Sequence, residues 1–252
     1  MRVESLYTVA FVVILAALLR AGACESVHAR ESRSRVPPGG ATSAEQYVDR
    51  GKKLLDKGLY AGAARSFSLA LKKRPGSPEV HLLRGRAFDG MGLPERAIQD
   101  LSIYIQKKPS DPIGYIRRGD AKNFNGMHRE AIDDYHSAIR LNPRSVSAYL
   151  GRGLAHAGME NYEEAIKDYY WVLRLDPKNR EALGNMGIAC MLANRPLQAV
   201  TYFEQALAVE TDPTWRKRIN KWVERIVRHQ DGSKSNKRGP TRDPSQRPRP
   251  MW

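Results

Sequence analysis

The sequence predicts an all-α protein built from repeated helical units, and three observations support this fold class. Proline recurs every 34 residues, glycine and alanine recur with the same period, and a leucine or aromatic residue follows each alanine by four positions. Several series in step at one period of this length indicate a repeat protein. The prolines are Pro75, Pro109, Pro143 and Pro177, the glycines are Gly51, Gly85, Gly119, Gly153 and Gly187, the alanines are Ala63, Ala97, Ala131, Ala165 and Ala199, and the larger residues are Phe67, Leu101, Tyr135, Tyr169 and Phe203.

Each series has a role that helix packing explains. Glycine and alanine let two helix backbones approach closely, and the larger residue four positions on fills the space beside them. Proline ends the second helix of a unit because it excludes helical geometry from the residue before it. Gly58, Gly92 and Gly126 mark the turn inside the first three units. One unit cannot bury its apolar face alone, so the stacked units form the core.

The best-preserved units are similar to a known family. Tyr115–Ala121 (YIRRGDA), Tyr149–Ala155 (YLGRGLA) and Tyr162–Ile166 (YEEAI) resemble the tetratricopeptide repeat, whose 34-residue unit is two antiparallel helices. The resemblance implies a right-handed α-solenoid of about five helix pairs over residues 44–213, with a C-terminal capping helix. The units are 44–77, 78–111, 112–145, 146–179 and 180–213, and the fifth departs from the pattern by ending in Thr-Asp-Pro.

Two aligned positions predict ion pairs inside the hairpins. The residue before the recurring glycine is Arg84, Arg118 and Arg152 in the second to fourth units, and an aspartate follows each of them by 16 residues. If the turn of the hairpin lies near position 15 of each unit, these residues face each other. The predicted pairs are Arg84–Asp100, Arg118–Asp134 and Arg152–Asp168. The fifth unit has lost both partners and has Met186 and Tyr202 instead.

The resemblance also implies a concave groove lined by the first helix of each unit, which in this family binds peptides or partner helices. The groove is expected to be polar with mixed charge at one end and apolar at the other. The family's carboxylate-clamp pattern of Lys, Asn and Arg is not reproduced. The residues expected to face the groove are Lys52, Arg86, Asp89, Asp120, Asn123 and Phe124 in the first three units, and Leu150, Leu154, Ile188, Met191 and Leu192 in the last two.

The N-terminus predicts export. Residues 5–19 carry no charge but are too few for a relaxed membrane span, and small residues follow at Ala21–Ala23, so residues 1–23 are predicted to be a signal peptide. Ala-Gly-Ala-Cys24 resembles a bacterial lipoprotein signal. Lipidation of Cys24, ordinary cleavage after Ala23, and an uncleaved anchor or buried helix remain alternatives. Residues 24–43 are predicted to be a linker. A tethered protein on the periplasmic side of the cell envelope is expected, with secretion as the alternative.

The C-terminus holds most of the charge. The 252-residue chain has a formal net charge of +15, of which residues 214–252 supply +9 and residues 44–213 only +4. A nucleic-acid-binding repeat region is therefore not expected. Residues 214–230 predict a helix with one apolar and one basic face, either capping the solenoid or lying on an anionic membrane. Residues 231–252 are predicted to be a basic, disordered tail.

The sequence contains none of the common catalytic or nucleotide-binding motifs. There is no phosphate-binding glycine loop, no HExxH and no GxSxG, and the six histidines are scattered. Cys190 is predicted to be a buried thiol. A protein-binding scaffold that is not an enzyme, without metal or cofactor, is the leading hypothesis, with a protein or peptide as the partner. Polyanion or nucleic-acid binding through residues 214–252 is the alternative, and the sequence does not predict an oligomeric state.

Overall fold

A computed structural model of the chain describes residues 43–235. This range contains eleven α-helices and no strand, as the predicted all-α repeat fold requires. The helices are α1 (Ala44–Asp56), α2 (Tyr60–Lys73), α3 (Pro78–Gly90), α4 (Pro94–Lys107), α5 (Pro112–Phe124), α6 (His128–Leu141), α7 (Val146–Gly158), α8 (Tyr162–Leu175), α9 (Arg180–Leu192), α10 (Pro196–Val209) and α11 (Pro213–Ser235).

The helices belong to two compact units, one that ends at residue 171 and one that begins at residue 172, with the boundary inside α8. In the first unit, α1 to α7 and most of α8 form four hairpins. In the second unit, α9 and α10 form the fifth hairpin and α11 follows. Each hairpin corresponds to one 34-residue repeat. We call its two helices the A helix and the B helix.

The turn inside each hairpin requires a residue with positive φ. Gly58, Gly92 and Gly126 supply it in the first three repeats, with φ of 71°, 68° and 76°. Glu160 and Asn194 adopt the same left-handed conformation in the fourth and fifth repeats, at 61° and 59°. Glycine adopts this conformation without steric cost, whereas other residues do not. The turns of the fourth and fifth repeats therefore have the same geometry as the first three but with a less favourable residue.

The core of the first unit consists of large side chains that lie against the recurring glycines. Phe67 is completely buried, and a Cβ placed on Gly51 would lie only 2.4 Å from its ring. A Cβ placed on Gly153 would likewise lie 2.6 Å from the ring of Tyr169. A side chain at these glycines would therefore separate the two helices of a hairpin. The same arrangement recurs in the second unit, where a Cβ on Gly187 would lie 2.5 Å from Phe203.

The last helix packs on the fifth hairpin. Ile219 is buried, and the ring of Trp222 lies 5.4 Å from that of Phe203 on α10 and 6.4 Å from that of Trp215. This is the arrangement expected of a capping helix. It ends at Ser235 rather than at the predicted residue 230.

None of the helices in residues 43–235 combines the length and the apolar character that crossing a bilayer requires. The predicted signal peptide, Cys24, the linker up to residue 42 and residues 236–252 of the predicted tail lie outside the described residues.

Candidate protein-binding surface

The three predicted arginine–aspartate pairs are present in the first unit. Arg84 donates from Nε and Nη2 to the two carboxylate oxygens of Asp100, at 2.7 and 2.8 Å. Arg118 makes the same two-pronged contact with Asp134, at 2.9 and 2.6 Å. The aspartates are almost fully buried, whereas the arginine side chains keep about a fifth of their surface exposed. Each pair joins the A helix to the B helix of one hairpin.

Arg152 and Asp168 form the third pair, with Nη2 and Oδ1 2.7 Å apart. One turn after Arg152 lies His156, whose Nδ1 is buried without a hydrogen-bond partner. Burial lowers the pKa of His156, while the Asp168 carboxylate raises it. Neutral imidazole is therefore favoured at this position.

The pairs are parts of larger polar networks that single-residue spacing did not predict. The Nζ of Lys122 lies 2.8 Å from Asp134, and the Nδ1 of His81 lies 2.8 Å from Asp100. Both are on the same A helix as the arginine of the pair, four residues after it and three residues before it, which is the spacing that places side chains on one helix face.

The networks also link neighbouring repeats. Arg84 donates from Nη1 to the hydroxyl of Ser68, and Arg118 donates from Nη1 to that of Ser102, both at 3.1 Å. Each serine precedes its arginine by the same 16 residues by which the aspartate follows it. A search for polar residues on both sides of the arginine at this interval would have found them. We call each Ser–Arg–Asp series a polar ladder.

The A helices of the first unit lie side by side, because α1 contacts α3, α3 contacts α5 and α5 contacts α7. We call the surface they present the A-helix surface. Of the predicted groove residues, Lys52, Arg86, Asp89 and Phe124 are exposed, and Asp120, Asn123, Leu150 and Leu154 are half-buried. The polar side chains come from α1, α3 and α5, and the two leucines come from α7.

The second unit differs from the prediction at one position. Met191 and Leu192 on α9 are half-buried, but Ile188 is only 6% exposed and is part of the core. Its first helix is buried over more than one face, with Leu183, Met186, Ala189 and Cys190 also inside. The helical phase that selected Ile188 assumes a narrow apolar stripe, and α9 does not have one.

The middle of the A-helix surface holds a constrained carboxylate. The hydroxyl of Tyr135 donates to Oδ1 of Asp120 at 2.9 Å. The Tyr135 ring reaches this position because it lies between Gly119 and Gly151, where an added Cβ would come within 2.9 and 2.4 Å of Cε1. Burial and the neighbouring Asp120 raise the pKa of Tyr135, so its hydroxyl remains a donor. Gly151 stands outside the 34-residue series, which is why the sequence did not predict this contact.

Two further charges lie beside Asp120. Nη1 of Arg117 is 3.8 Å from Oδ2 of Asp120, and the Nε of Arg117 is buried without a hydrogen-bond partner. Asp89 is accessible to solvent, yet loss of hydration raises the pKa of its carboxyl, and Arg117 opposes that shift.

No cluster of three or more His, Cys, Asp or Glu side chains with the geometry to hold a metal ion occurs in the described part of the chain. The chemistry available at the A-helix surface is that of ion pairs, hydrogen bonds and apolar contacts. These are the interactions by which a protein binds another protein.

The comparisons with known proteins agree with this architecture. Tetratricopeptide repeat models match residues 48–112 and residues 146–179. The crystal structure of MamA protein is similar, with 30% identity and a TM-score of 0.60 over 66% of this chain and 91% of that chain. No curated protein sequence matches.

Two other solved structures share the fold at lower identity. TTC0263, a thermophilic TPR protein of Thermus thermophilus, is 22% identical with a TM-score of 0.58, over 72% of this chain and 99% of that chain. YrrB, described as a TPR protein with an unusual peptide-binding site, is 16% identical with a TM-score of 0.58, over 71% and 93%. The repeat period, the hairpins and these similarities together show that the chain belongs to the tetratricopeptide repeat family, a fold that mediates protein–protein interaction.

Proposed function

We propose that this protein is an exported, membrane-tethered scaffold without catalytic activity that binds a protein or peptide through the A-helix surface of its first unit. The observation that carries the proposal is the arrangement around Asp120, a carboxylate held by Tyr135 on a surface where Arg86, Asp89 and Phe124 are exposed. Side chains that are fixed before binding lose less conformational entropy when a partner docks.

The chemistry of the surface indicates the kind of partner. The α3 and α5 part offers both charges, and the α7 part offers Leu150 and Leu154. An extended or helical segment with charged residues at one end and apolar residues at the other would be complementary to it. That YrrB has a peptide-binding site supports the class of partner, but not its identity.

The binding surface is tested by capture of partners from solubilised membranes with the full chain. The test variant replaces Arg86, Asp89 and Phe124 with Ala, because all three are exposed and do not join the buried ion pairs. The control variant replaces Arg65, Gln99 and His136 with Ala, which are exposed on the B helices. We expect the test variant to bind the captured partner at least about tenfold more weakly, the size of a modest interface hot spot, and the control to bind normally. Equal affinity of the two variants would reject the A-helix surface.

Export and tethering are tested by the mass of the mature N-terminus, measured on protein isolated from the cell. A lipid-modified Cys24 as first residue supports a tethered form, and an unmodified Cys24 as first residue supports secretion. An intact Met1 would contradict cleavage.

Polyanion binding through the C-terminal region is a second candidate function, because α11 presents five exposed cations in its part up to residue 228. They are Arg216, Lys217, Lys221, Arg225 and Arg228. Phosphate contacts would make binding fall steeply with salt. Deletion of residues 236–252, combined with Gln at these five positions, should abolish binding to DNA or heparin if the proposal holds, and should leave partner capture unchanged.

A further inference from the structure

The charges of the first unit are divided between its two edges. The A and B helices of a hairpin are antiparallel, so the loops between repeats lie at one edge and the turns inside repeats at the other. Contacts between the ends of the helices show this directly, since Arg74 at the end of α2 lies 2.5 Å from Glu45 at the start of α1. Lys108 and Glu79 make the equivalent contact, at 3.9 Å, in the second repeat. We call these the loop edge and the turn edge.

The loop edge is basic. Residues 43–46, 72–79, 106–113 and 140–147 contain seven Lys and Arg against three acidic residues. All seven cations are exposed, and they come from three successive repeats. They are Lys72, Lys73, Arg74, Lys107, Lys108, Arg140 and Arg144.

Three carboxylates, Glu45, Glu79 and Asp111, offset part of that charge, and the loop edge keeps an excess of four positive charges. Glu45 and Glu79 are each more than half exposed, as are Arg74 and Lys108. Exposed ion pairs of this kind contribute little to the stability of the fold. The third, Asp111, accepts hydrogen bonds from the Tyr104 hydroxyl and from the backbone N–H of Ile113.

The turn edge has the opposite sign. Residues 56–63, 90–97, 124–131 and 158–165 contain six acidic residues against three Lys and Arg. The cations are therefore not distributed evenly as a solubilising surface would be. The first unit therefore presents one edge with an excess of cations and one edge with an excess of carboxylates.

The chain enters the first unit at the positive edge. Ser43 caps the start of α1, and the Glu45–Arg74 contact places that start among the loop-edge cations. The 42 residues that precede Ser43 include the uncharged stretch of residues 5–19 and Cys24, the segment proposed above to attach the protein to a membrane. A tether that joins the unit at this edge holds it near the bilayer.

We propose that the loop edge is a second binding surface, which lies against the anionic phospholipid headgroups of the membrane that holds the tether. This inference rests on the tethered form proposed above. Several cations along one edge attract an anionic leaflet additively, and the attraction weakens with salt. Contact at the loop edge leaves the A-helix surface directed to the side, where a partner reaches it.

The test is the partition of the full chain onto vesicles. The edge variant replaces four loop-edge lysines with Gln, namely Lys72, Lys73, Lys107 and Lys108. The control variant replaces four exposed cations away from the loop edge with Gln, namely Lys52, Lys53, Lys57 and Arg129. The measured quantity is the ratio of binding to vesicles containing phosphatidylglycerol over binding to pure phosphatidylcholine vesicles. The N-terminal segment and the basic C-terminus are identical in all forms, so they contribute equally to this ratio.

We expect the edge variant to lower the ratio at least about tenfold at low salt, since each cation near an anionic surface contributes severalfold. The control should lower it less than about twofold, and both differences should shrink at high salt. Equal losses in the two variants would mean that only net charge matters, and no loss in the edge variant would mean that the edge does not contact lipid. Either result overturns the proposal.

Two further measurements identify what the loop edge binds. If the edge variant loses binding to heparin or DNA but keeps its vesicle ratio, the edge binds a different polyanion and the lipid assignment is wrong. Capture of the protein partner by the edge variant should remain normal, so a failed vesicle test leaves the proposed scaffold function standing. Thermal unfolding of both variants checks that the fold is intact.

Discussion

The second, third and fourth repeats differ from the fifth in what they enclose. Each of the second, third and fourth repeats holds an arginine–aspartate pair between its two helices. The fifth repeat has Met186, which is 1% exposed, and Tyr202 at the same two positions. Both types form the same hairpin with the same period. The pair is therefore not needed for the hairpin to form. What differs is the consequence of losing one partner, because a lone buried charge costs far more than a lost apolar contact.

The largest effect is expected from Asp134→Ala. This change leaves Arg118 and Lys122 without their carboxylate, and we expect a loss of about 3–5 kcal/mol in the free energy of unfolding, the range for breaking a buried pair. Urea unfolding followed by circular dichroism measures it. Asp133→Ala, an exposed neighbour on the same helix, should change stability by less than about 0.5 kcal/mol. Similar values for the two variants would show that the buried network carries no special weight.

Gly151→Ala tests the close approach in the fourth repeat. The new methyl group would lie 2.4 Å from the Tyr135 ring, so we expect a loss of about 1–3 kcal/mol from overpacking. Gly184→Ala in the fifth repeat is the matched control, because nothing lies within 4 Å of that position. It should gain about 0.5–1 kcal/mol from the better helix propensity of alanine. A neutral result at Gly151 would mean that Tyr135 can move aside, and its hydrogen bond to Asp120 would then not be a fixed feature of the surface.

The fourth repeat can be given the interior of the fifth. We expect the double change Arg152→Met with Asp168→Tyr to cost about 1–2 kcal/mol, mainly from the larger volume of Tyr at a buried position. Asp168→Ala alone should cost more, because it strands Arg152. The double-mutant cycle formed by Arg152→Met, Asp168→Tyr and the double variant, measured by urea unfolding, should give a coupling energy of at least about 1 kcal/mol. Additive single changes would contradict the comparison between repeats.

The smallest effect is on the pH dependence of stability. Burial lowers the pKa of His156 in the folded protein below the 6.5 of the unfolded chain, so the unfolded state binds more protons as the pH falls through that value. The contribution of His156 to the free energy of unfolding is thus fully present above about pH 6.5. It is lost as the pH falls below that value. We expect His156→Gln to unfold with a weaker pH dependence than the wild type between about pH 7 and pH 5. His136→Gln, at an exposed position, is the control, and equal slopes for both variants would contradict the role of burial.

The 34-residue period was enough to predict what every repeat shares. The hairpins, the glycine turns at Gly58, Gly92 and Gly126, and the Arg–Asp contacts all recur at fixed positions, so comparing the repeats with each other located them. Features that occur in one repeat only could not be predicted by comparing the repeats. Gly151 lets the Tyr135 hydroxyl reach Asp120 only in one place, and no other repeat in the described range shows the same combination.

Surface features were harder to predict for a different reason. The small net charge of the repeat region argued against nucleic-acid binding there, but net charge does not record on which edge each lysine lies. Ile188 was misplaced because helical phase gives the direction of a side chain and not whether another helix covers it. The edge on which a lysine lies and the burial of Ile188 both depend on how neighbouring helices pack, which only the folded chain shows.

The polar ladders determine which repeats can be copied. Arg84 donates to Ser68 of the preceding repeat and to Asp100 of its own repeat. Ser102, in the same repeat as Arg84, accepts from Arg118 of the next repeat. A tandem copy of residues 78–111 would therefore supply a hydroxyl, a guanidinium and a carboxylate at every step. The third repeat has His136 where the second has Ser102, so a copy of residues 112–145 would leave its arginine without the hydroxyl behind it. The second repeat is the module by which this chain can grow, and a chain lengthened there should melt higher than one lengthened by the third.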